Sequence, residues 1–403
     1  MMMKKAYPFI LLTLVLASCF KQGQTTSSSS SEEVIKAKSF IPDVGEVRLL
    51  FSPGTIGETK IYNYCPTIFI ENNRQYVYYC TNKDEGNVTD YVGFRRGSIQ
   101  DETISYTEND FVVSHGEAGS WDFRHACDPS VIKGEFKFHG ETYNYLMAYL
   151  GCVPSDCTLN ETGIAVSQTP AGPWIKCDFA LDGGTKINPI VPYADFPMND
   201  TSWGTGQPSL ISVDKKGRVL LFTTIGASNG TYTNVREYDF SDIDNYVKLR
   251  ERTKIIETGT RYTRTGGGFI NNGDFAYDEA NRRFLMVKGR QFFGTDGVTP
   301  DFIADTLDVY YIEDTEGTNV GDIFFAGNNT NKQWKLIDSI NGEKTGFLRN
   351  HNACLITDPY GHHIDEGNKI GVGFTRSDKG ASTNWSYLST YRIYTTSVSY
   401  VVA

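Results

Sequence analysis

Apolar and polar residues alternate with a period of two in short runs, and the runs come in pairs separated by turn residues, the pattern of half-buried strands joined as hairpins. The first pair is Cys65-Pro-Thr-Ile-Phe-Ile70 and Gln75-Tyr-Val-Tyr-Tyr79, with a turn at Asn72-Asn73. The second is Asp128-Pro-Ser-Val-Ile132 and the aromatic run 143–149, with a turn at His139-Gly140. The third joins Gln207-Pro-Ser-Leu-Ile-Ser212 to Arg218-Val-Leu-Leu-Phe222 through Asp214-Lys-Lys-Gly217. In the fourth, Gly273-Asp-Phe-Ala-Tyr277 meets 282–287 through Asp278-Glu-Ala-Asn281, and in the fifth, Asn352-Ala-Cys-Leu-Ile356 meets 369–374 after Asp358-Pro-Tyr-Gly361.

A second strand pair follows each hairpin, at Tyr91–Phe94, Gly163–Trp174, Asn234–Tyr238, Leu307–Tyr311 and 388–394. Four strands per unit, repeated five times at roughly 60 to 80 residues, predict an all-β, five-bladed β-propeller over 45–403. A β-sandwich also has short strands and turns, but not one order of signals repeated five times. The early run Glu46–Phe51 is expected to complete the last blade and cover its edge. Composition agrees: 24 Tyr and 24 Phe among 403 residues suit aromatic-rich strands.

Ahead of this region lie Lys4-Lys5, an apolar run from Phe9 to Leu16, and Leu16-Ala-Ser-Cys19. A basic start, a short apolar core and small residues before a cleavage point predict a secretory signal over 1–18. The last four residues resemble the lipobox of bacterial lipoproteins, which implies that Cys19 is acylated and that the protein is held at a membrane of the cell envelope by its lipid. Residues 19–44, with the serine run 27–31, are then a flexible tether.

The formal charge is −10, and removing Lys4 and Lys5 leaves 36 basic residues against 48 acidic ones, or −12. That balance excludes nucleic acid as the partner and fits a neutral ligand. Seven cysteines remain after Cys19 in a disulfide-permissive compartment. The hairpin turns place Cys65 opposite Cys80 and Cys127 opposite Cys152, so either bridges or buried free thiols follow at each pair; Cys157 competes for Cys152 or pairs with Cys177, and at least one thiol stays unpaired. No zinc-binding spacing is present among His and Cys.

The chain resembles the five-bladed glycosidase propellers typified by glycoside hydrolase family 43 and its fructan-hydrolysing relatives. The carriers are Cys127-Asp-Pro-Ser-Val-Ile132, Gly163-Ile-Ala-Val-Ser167 with Pro170-Ala-Gly-Pro-Trp174, Gly206-Gln-Pro-Ser-Leu-Ile211, and His351-Asn-Ala353 with Asp358–Gly361. The resemblance implies a set of carboxylates on the inner strands, with one protonated acid and one ionised partner whose pKa values are pushed apart. Asp128 is the candidate base or nucleophile and Asp274 its acidic partner. Trp121, Arg124, His125, Trp203, Gln207, Asn272 and Asn352 form the expected sugar cradle, because sugar rings stack on aromatic faces and need planar hydrogen-bond partners at their edges. By the same resemblance His351 is a candidate ligand for a structural calcium ion; no other cofactor is expected, and the propeller is expected to act as a monomer.

The chain also departs from the family pattern. Cys65 stands where the first blade would carry its Asp-Pro acid, Gln207 stands in the third blade, and the usual glutamic acid has no clear counterpart. Two functions follow: an exported, lipid-anchored glycoside hydrolase acting through a displaced carboxylate pair, or a glycan-binding lipoprotein on a degenerate hydrolase fold. A structural or adhesive propeller has no positive support in the sequence.

Overall fold

The second, third and fourth repeats each fold as a sheet of four antiparallel strands in chain order, and the fifth and first are joined into one nine-stranded sheet. The computed structural model describes residues 39–51, 62–82, 88–107, 111–154, 156–178, 186–261, 270, 272–290, 303–326, 332–377 and 390–400. Strand β1 (Arg48–Leu49) stands apart from the repeats that follow it. The first blade is β2 (Asn63–Glu71), β3 (Arg74–Asn82), β4 (Asp90–Gln100) and β5 (Thr103–Thr107), with β6 (Phe111–Val113) also on β4. The second is β7 (His125–Phe138), β8 (Glu141–Cys152), β9 (Glu161–Ser167) and β10 (Ile175–Lys176). The third is β11 (Gly204–Ser212), β12 (Arg218–Ala227), β13 (Gly230–Asp239) and β14 (Val247–Lys254). The fourth is β15 (Asp274–Asp278), β16 (Arg283–Arg290), β17 (Thr306–Glu313) and β18 (Lys335–Ile340). The fifth is β19 (Arg349–Thr357), β20 (Lys369–Ser377) and β21 (Arg392–Ser399), and β1 is its fourth strand.

The amino-terminal strand therefore closes the ring as expected, although only Arg48 and Leu49 enter the ladder, opposite Thr395 and Tyr394. Side-chain bonds extend that short contact: Thr396 Oγ1 donates to the Glu46 carbonyl at 2.7 Å and Ser397 Oγ to the Pro42 carbonyl at 2.8 Å. Arg48 Nη1 donates to the Ser39 carbonyl at 2.6 Å, and Ser39 Oγ donates to Glu366 at 2.7 Å. Blades five and one also share a parallel pairing of β19 with β2.

The turns follow the sequence. Asn72 and Asn73 (φ 51° and 56°) and His139 and Gly140 (φ 50° and 82°) take the left-handed pair that matches strand twist in two-residue hairpins. Asp214 and Asp278 cap their turns by accepting backbone amides of Lys216 and Asn281. The last repeat differs: its outer strand is Arg392–Ser399 rather than 388–394, and residues 388–389 lie outside the described set.

Between neighbouring blades lie five apolar cores. Phe69, Tyr78 and Phe94 face Val131, Met147 and Tyr149 between the first two blades. Ile132 and Leu146 face Leu210 and Leu221 between the next two. In the third seam Phe222 stacks on Phe275 with centroids 4.2 Å apart. Val287 and Val309 meet Leu355 and Val372 in the fourth, and Ile68 and Val77 meet Ile356, Ile393 and Leu50 in the fifth. Each such side chain contributes about 1.5–3 kcal/mol when fully buried, so the seams hold the ring. Among the described residues no helix is long and apolar enough to cross a membrane. The leader and Cys19 lie outside the described residues.

Neither bridge across a hairpin is formed. Cys80 is bonded instead to Cys127, from the first blade to the second, with Cα atoms 5.2 Å apart. The reason is register. A bulge between Tyr64 and Thr67 puts Tyr64, not Cys65, opposite Cys80. Two bulges in β7 move Cys127 opposite Leu150 and leave Cys152 opposite His125. Each bulge slips the pairing by one residue. Cys65, Cys152, Cys157, Cys177 and Cys354 are free thiols.

At the seam of blades two and three, Gly204 (φ +101°) bridges Asn160 so closely that a Cβ would lie 2.2 Å from the Asn160 nitrogen. Gly204→Ala should destabilise the protein by about 3 kcal/mol, through both the left-handed backbone and the collision. A lowered urea midpoint at unchanged slope is the expected result, and an unchanged midpoint contradicts it.

Candidate functional site

The inner strands of four blades carry the same irregularity. Register shifts fall between Tyr64 and Thr67, Cys127 and Ser130, Gly206 and Ser209, and His351 and Cys354. In each, one residue adopts the left-handed region: Cys65 (φ 48°), Asp128 (46°), Gln207 (48°) and Asn352 (43°). The fourth blade has Asn272 (φ 56°) at the same offset, just before β15. Proline follows three of the five, as a bulge permits, since the ladder has no use for its missing N–H there. Left-handed backbone is costly for Cys and Gln, and its recurrence at one place in five blades marks a built feature. The bulge re-aims one side chain per blade.

Two residues further on, a second ring ties the blades together. Thr67 Oγ1 donates to the Pro129 carbonyl. The Leu210 amide donates to Ser130 Oγ at 2.9 Å, and the Phe275 amide to Ser209 Oγ at 3.0 Å. The Leu355 amide donates to Asp274 Oδ2 at 2.7 Å, and the Ile68 amide to the Cys354 sulfur. Asp274 belongs to this second ring, in line with Thr67, Ser130, Ser209 and Cys354, whereas Asp128 belongs to the first. Its other oxygen accepts the Ser209 hydroxyl at 2.7 Å. Asp274 keeps part of its surface accessible, yet the surrounding protein raises its pKa to about 6 against the lowering effect of these donors.

Asp128 is buried. Its amide donates to the Cys80 sulfur at 2.8 Å, and its Oδ1 lies 3.3 Å and 3.5 Å from the sulfurs of the Cys80–Cys127 disulfide. The Cys65 thiol donates to its carboxylate. Burial raises the Asp128 pKa to about 7, with the Cys65 bond opposing and the nearby Asp90 charge adding to the rise. At neutral pH this carboxyl is available both as donor and as acceptor.

Around it pack Tyr64, whose hydroxyl lies 2.9 Å from the Cys127 sulfur, Leu150 and the half-buried Trp203. Trp203 lies over Gly206 and Gly226, where a Cβ would meet it at 3.1 and 2.9 Å. Gln207 has a buried Oε1 with no partner among the described residues. Asn272 donates its amide to the Asn352 side-chain oxygen, joining blades four and five.

The other candidates are placed differently. Trp121 packs on Tyr149, with centroids 5.4 Å apart, and over Gly151 and Gly163, and its indole donates to Asp178. Arg124 donates its amide to the Cys152 carbonyl and holds a buried Nε with no partner among the described residues. His125 is buried between Asp90, 2.8 Å from Nδ1, and Cys157, 3.1 Å from Nε2. His351 lies under Tyr391 and is kept neutral by burial, its pKa lowered to about 3. Among the described residues the three-donor group of metal-binding type is Cys65, Cys80 and Asp128, and His351 is not in it. With Cys80 held in the disulfide, the thiol of Cys65 and a single carboxylate remain, which do not make the oxygen cage of a calcium ion.

Five blades around an axis, with inner strands that share one left-handed step, are the architecture of the propeller glycosidases. Comparison with solved structures agrees on the fold. A family 117 glycoside hydrolase produced by the marine bacterium Zobellia galactanivorans superposes with a TM-score of 0.51 at 12% identity, over 88% of this chain and 92% of the other. The α-L-arabinofuranosidase from Podospora anserina, in complex with cellotriose, gives 0.52 at 10% identity over 89% and 99%. A family 62 hydrolase in complex with xylotriose gives 0.51 at 10% over 87% and 95%. The sequence matches no protein-family model and none of the curated proteins. At such identity these likenesses show the fold, not the chemistry.

The Asp128 environment predicts a pH dependence. Its folded pKa of about 7 exceeds the unfolded value of about 3.9, so the folded chain holds the extra proton between them. Its contribution to stability is full below pH 4 and is lost as pH rises to 7, by up to about 1.4 kcal/mol per pH unit. Asp128→Asn should remove that fall. Urea unfolding of both proteins from pH 4 to 8 tests it, and parallel curves count against it.

Proposed function

We propose that this propeller binds a neutral oligosaccharide at the mouth formed by the five left-handed positions, without hydrolysing it through a carboxylate pair. One observation carries the reading: of Cys65, Asp128, Gln207, Asn272 and Asn352, Asp128 alone is an acid. Hydrolysis needs a protonated acid and an ionised partner across one glycosidic bond. Binding needs what this ring offers, namely planar amides, a carboxyl close to half-protonation and an indole face. The half-buried Gln207 offers its carboxamide, Asp128 donates or accepts, and Trp203 supplies the apolar face. The oligosaccharides bound by two of the structural neighbours, and the acidic charge of the chain, support a neutral glycan as ligand.

A second reading keeps hydrolysis. It is favoured by the raised pKa values of both Asp128, about 7, and Asp274, about 6, which place two carboxyls near working pH. On that reading the roles expected from the sequence are reversed, with Asp128, whose pKa is the higher, as the acid and Asp274 as the base. The Ser209 hydroxyl and Leu355 amide that hold both Asp274 oxygens weigh against it. In either case the leader and Cys19 are read as export and lipid attachment to the cell envelope.

Isothermal titration of residues 20–403 with oligosaccharides from arabinan, xylan, fructan and galactan, beside a reducing-end assay, separates the two. The expected result is saturable binding to one class, weakened about tenfold in Gln207→Ala and in Trp203→Ala, with no reducing ends formed. Reducing ends lost in both Asp128→Asn and Asp274→Asn would establish the hydrolase instead, and no binding to any glycan would end the first reading.

A further inference from the structure

A second cluster of titratable groups lies beside the ring of left-handed positions. His125 opens β7 directly opposite Cys152, the last residue of β8. Cys157, in the connection that follows, brings its half-buried sulfur to 3.1 Å from His125 Nε2. On the far side of the ring, Nδ1 meets Asp90 at the start of β4 in the first blade twice, 2.8 Å from Oδ2 and 3.0 Å from the backbone amide nitrogen. The other Asp90 oxygen accepts the Tyr62 hydroxyl at 2.7 Å, so the carboxylate is fixed in place. The Cys152 thiol lies beside the Cys157 sulfur and 3.7 Å from the Pro154 carbonyl oxygen, and Arg124 adds a positive charge beside Cys152.

We propose that Cys157 and Cys152 form a thiol–disulfide exchange site, with Cys157 as the attacking sulfur, His125 and Asp90 as the relay that positions and charges it, and Cys152 as the resolving thiol. The co-reactant is a low-molecular-weight disulfide, small enough to reach a half-buried sulfur. The His125 imidazole meets the Cys157 sulfur at 3.1 Å with the Asp90 carboxylate behind it and a second thiol beside it, an arrangement that favours thiolate. The neighbouring Cys152 thiol, with His125 adding to it, holds the Cys157 pKa down at about 5 against burial, while the same contact raises that of Cys152. For His125, the Asp90 charge and the Cys157 bond outweigh burial and raise the pKa to about 10.

The chemistry balances. The Cys157 thiolate attacks one sulfur of R–S–S–R, a Cys157–S–S–R bond forms, and RS⁻ leaves with the proton of the His125 imidazolium. The neutral imidazole then takes the Cys152 proton as that sulfur attacks Cys157. The Cys152–Cys157 disulfide forms, and the second RS⁻ leaves and takes that proton. Two protein thiols are oxidised, and one small disulfide is reduced to two thiols.

The test uses the purified, reduced chain and iodoacetamide, with each cysteine followed by peptide mass spectrometry. At pH 6 native Cys157 should be alkylated at least tenfold faster than the same cysteine in the urea-unfolded chain, with a midpoint well below the 8.5 of a free thiol. Asp90→Asn and His125→Gln should slow it at least tenfold at pH 6 and little at pH 9, a pH-selective change that a general loss of packing does not produce. With oxidised glutathione the wild type should form a reversible Cys152–Cys157 disulfide, while Cys152→Ser should stop at the mixed disulfide on Cys157. A native midpoint near 8.5, or no rate advantage over the unfolded chain, would overturn the proposal without recourse to any variant. So would a Cys152–Cys157 disulfide that glutathione does not open in the folded chain, which would make the pair a structural bridge.

Discussion

Five strands that converge on one axis cannot all run straight, and the backbone step that lets them meet governs the rest of this molecule. Each inner strand carries a left-handed residue, and two positions later a side chain that accepts an amide from the next blade or donates to a carbonyl there. The step aims one residue into the mouth, and the following position supplies the interblade bond. Function and cohesion are thus divided between adjacent rings of the same strands. The apolar seams add most of the stabilisation, but it is the polar ring that fixes the rotation of one blade against the next.

That division explains what periodicity reveals and what it hides. The number and order of blades, the Asn72-Asn73 and His139-Gly140 turns and the closing role of β1 all follow from alternation and turn chemistry, which are local. The bulges at Cys65 and Asp128 are a backbone choice that leaves the alternation nearly intact, and missing them displaced both cysteine registers. The same omission sets Asp274 level with Asp128, although the Asn272-Gly273 step places it two residues further along. An aspartate at a position filled elsewhere by Ser, Thr or Cys is the signal that would have revealed its place in the bonding ring.

The mouth was partly legible. Asp128, Gln207 and Asn352 follow from being the first residues of the repeats, and Asn272 and Trp203 from lying just ahead of one. Cys80 and Asp90 were not, because they reach the site from other strands of the first blade and no spacing connects them to β7. Cys157 was visible as a thiol near Cys152, but not as a partner of His125, since that contact depends on the path of the 153–160 connection.

The short closing strand has a mechanical consequence. A pull on the amino-terminal segment reaches the propeller at Ser39, and the ladder that resists it consists of two residue pairs, Arg48 with Thr395 and Leu49 with Tyr394. Load would pass first to the Ser39–Glu366 and Arg48–Ser39 contacts and then to the clasps at Pro42 and Glu46, which lie in series ahead of the ladder. The Cys80–Cys127 bond lies beyond this fastening and carries none of the force until it gives way. The ring is thus strong around its circumference and weakest where its own chain enters, so a molecule tugged from that end would open at a single seam.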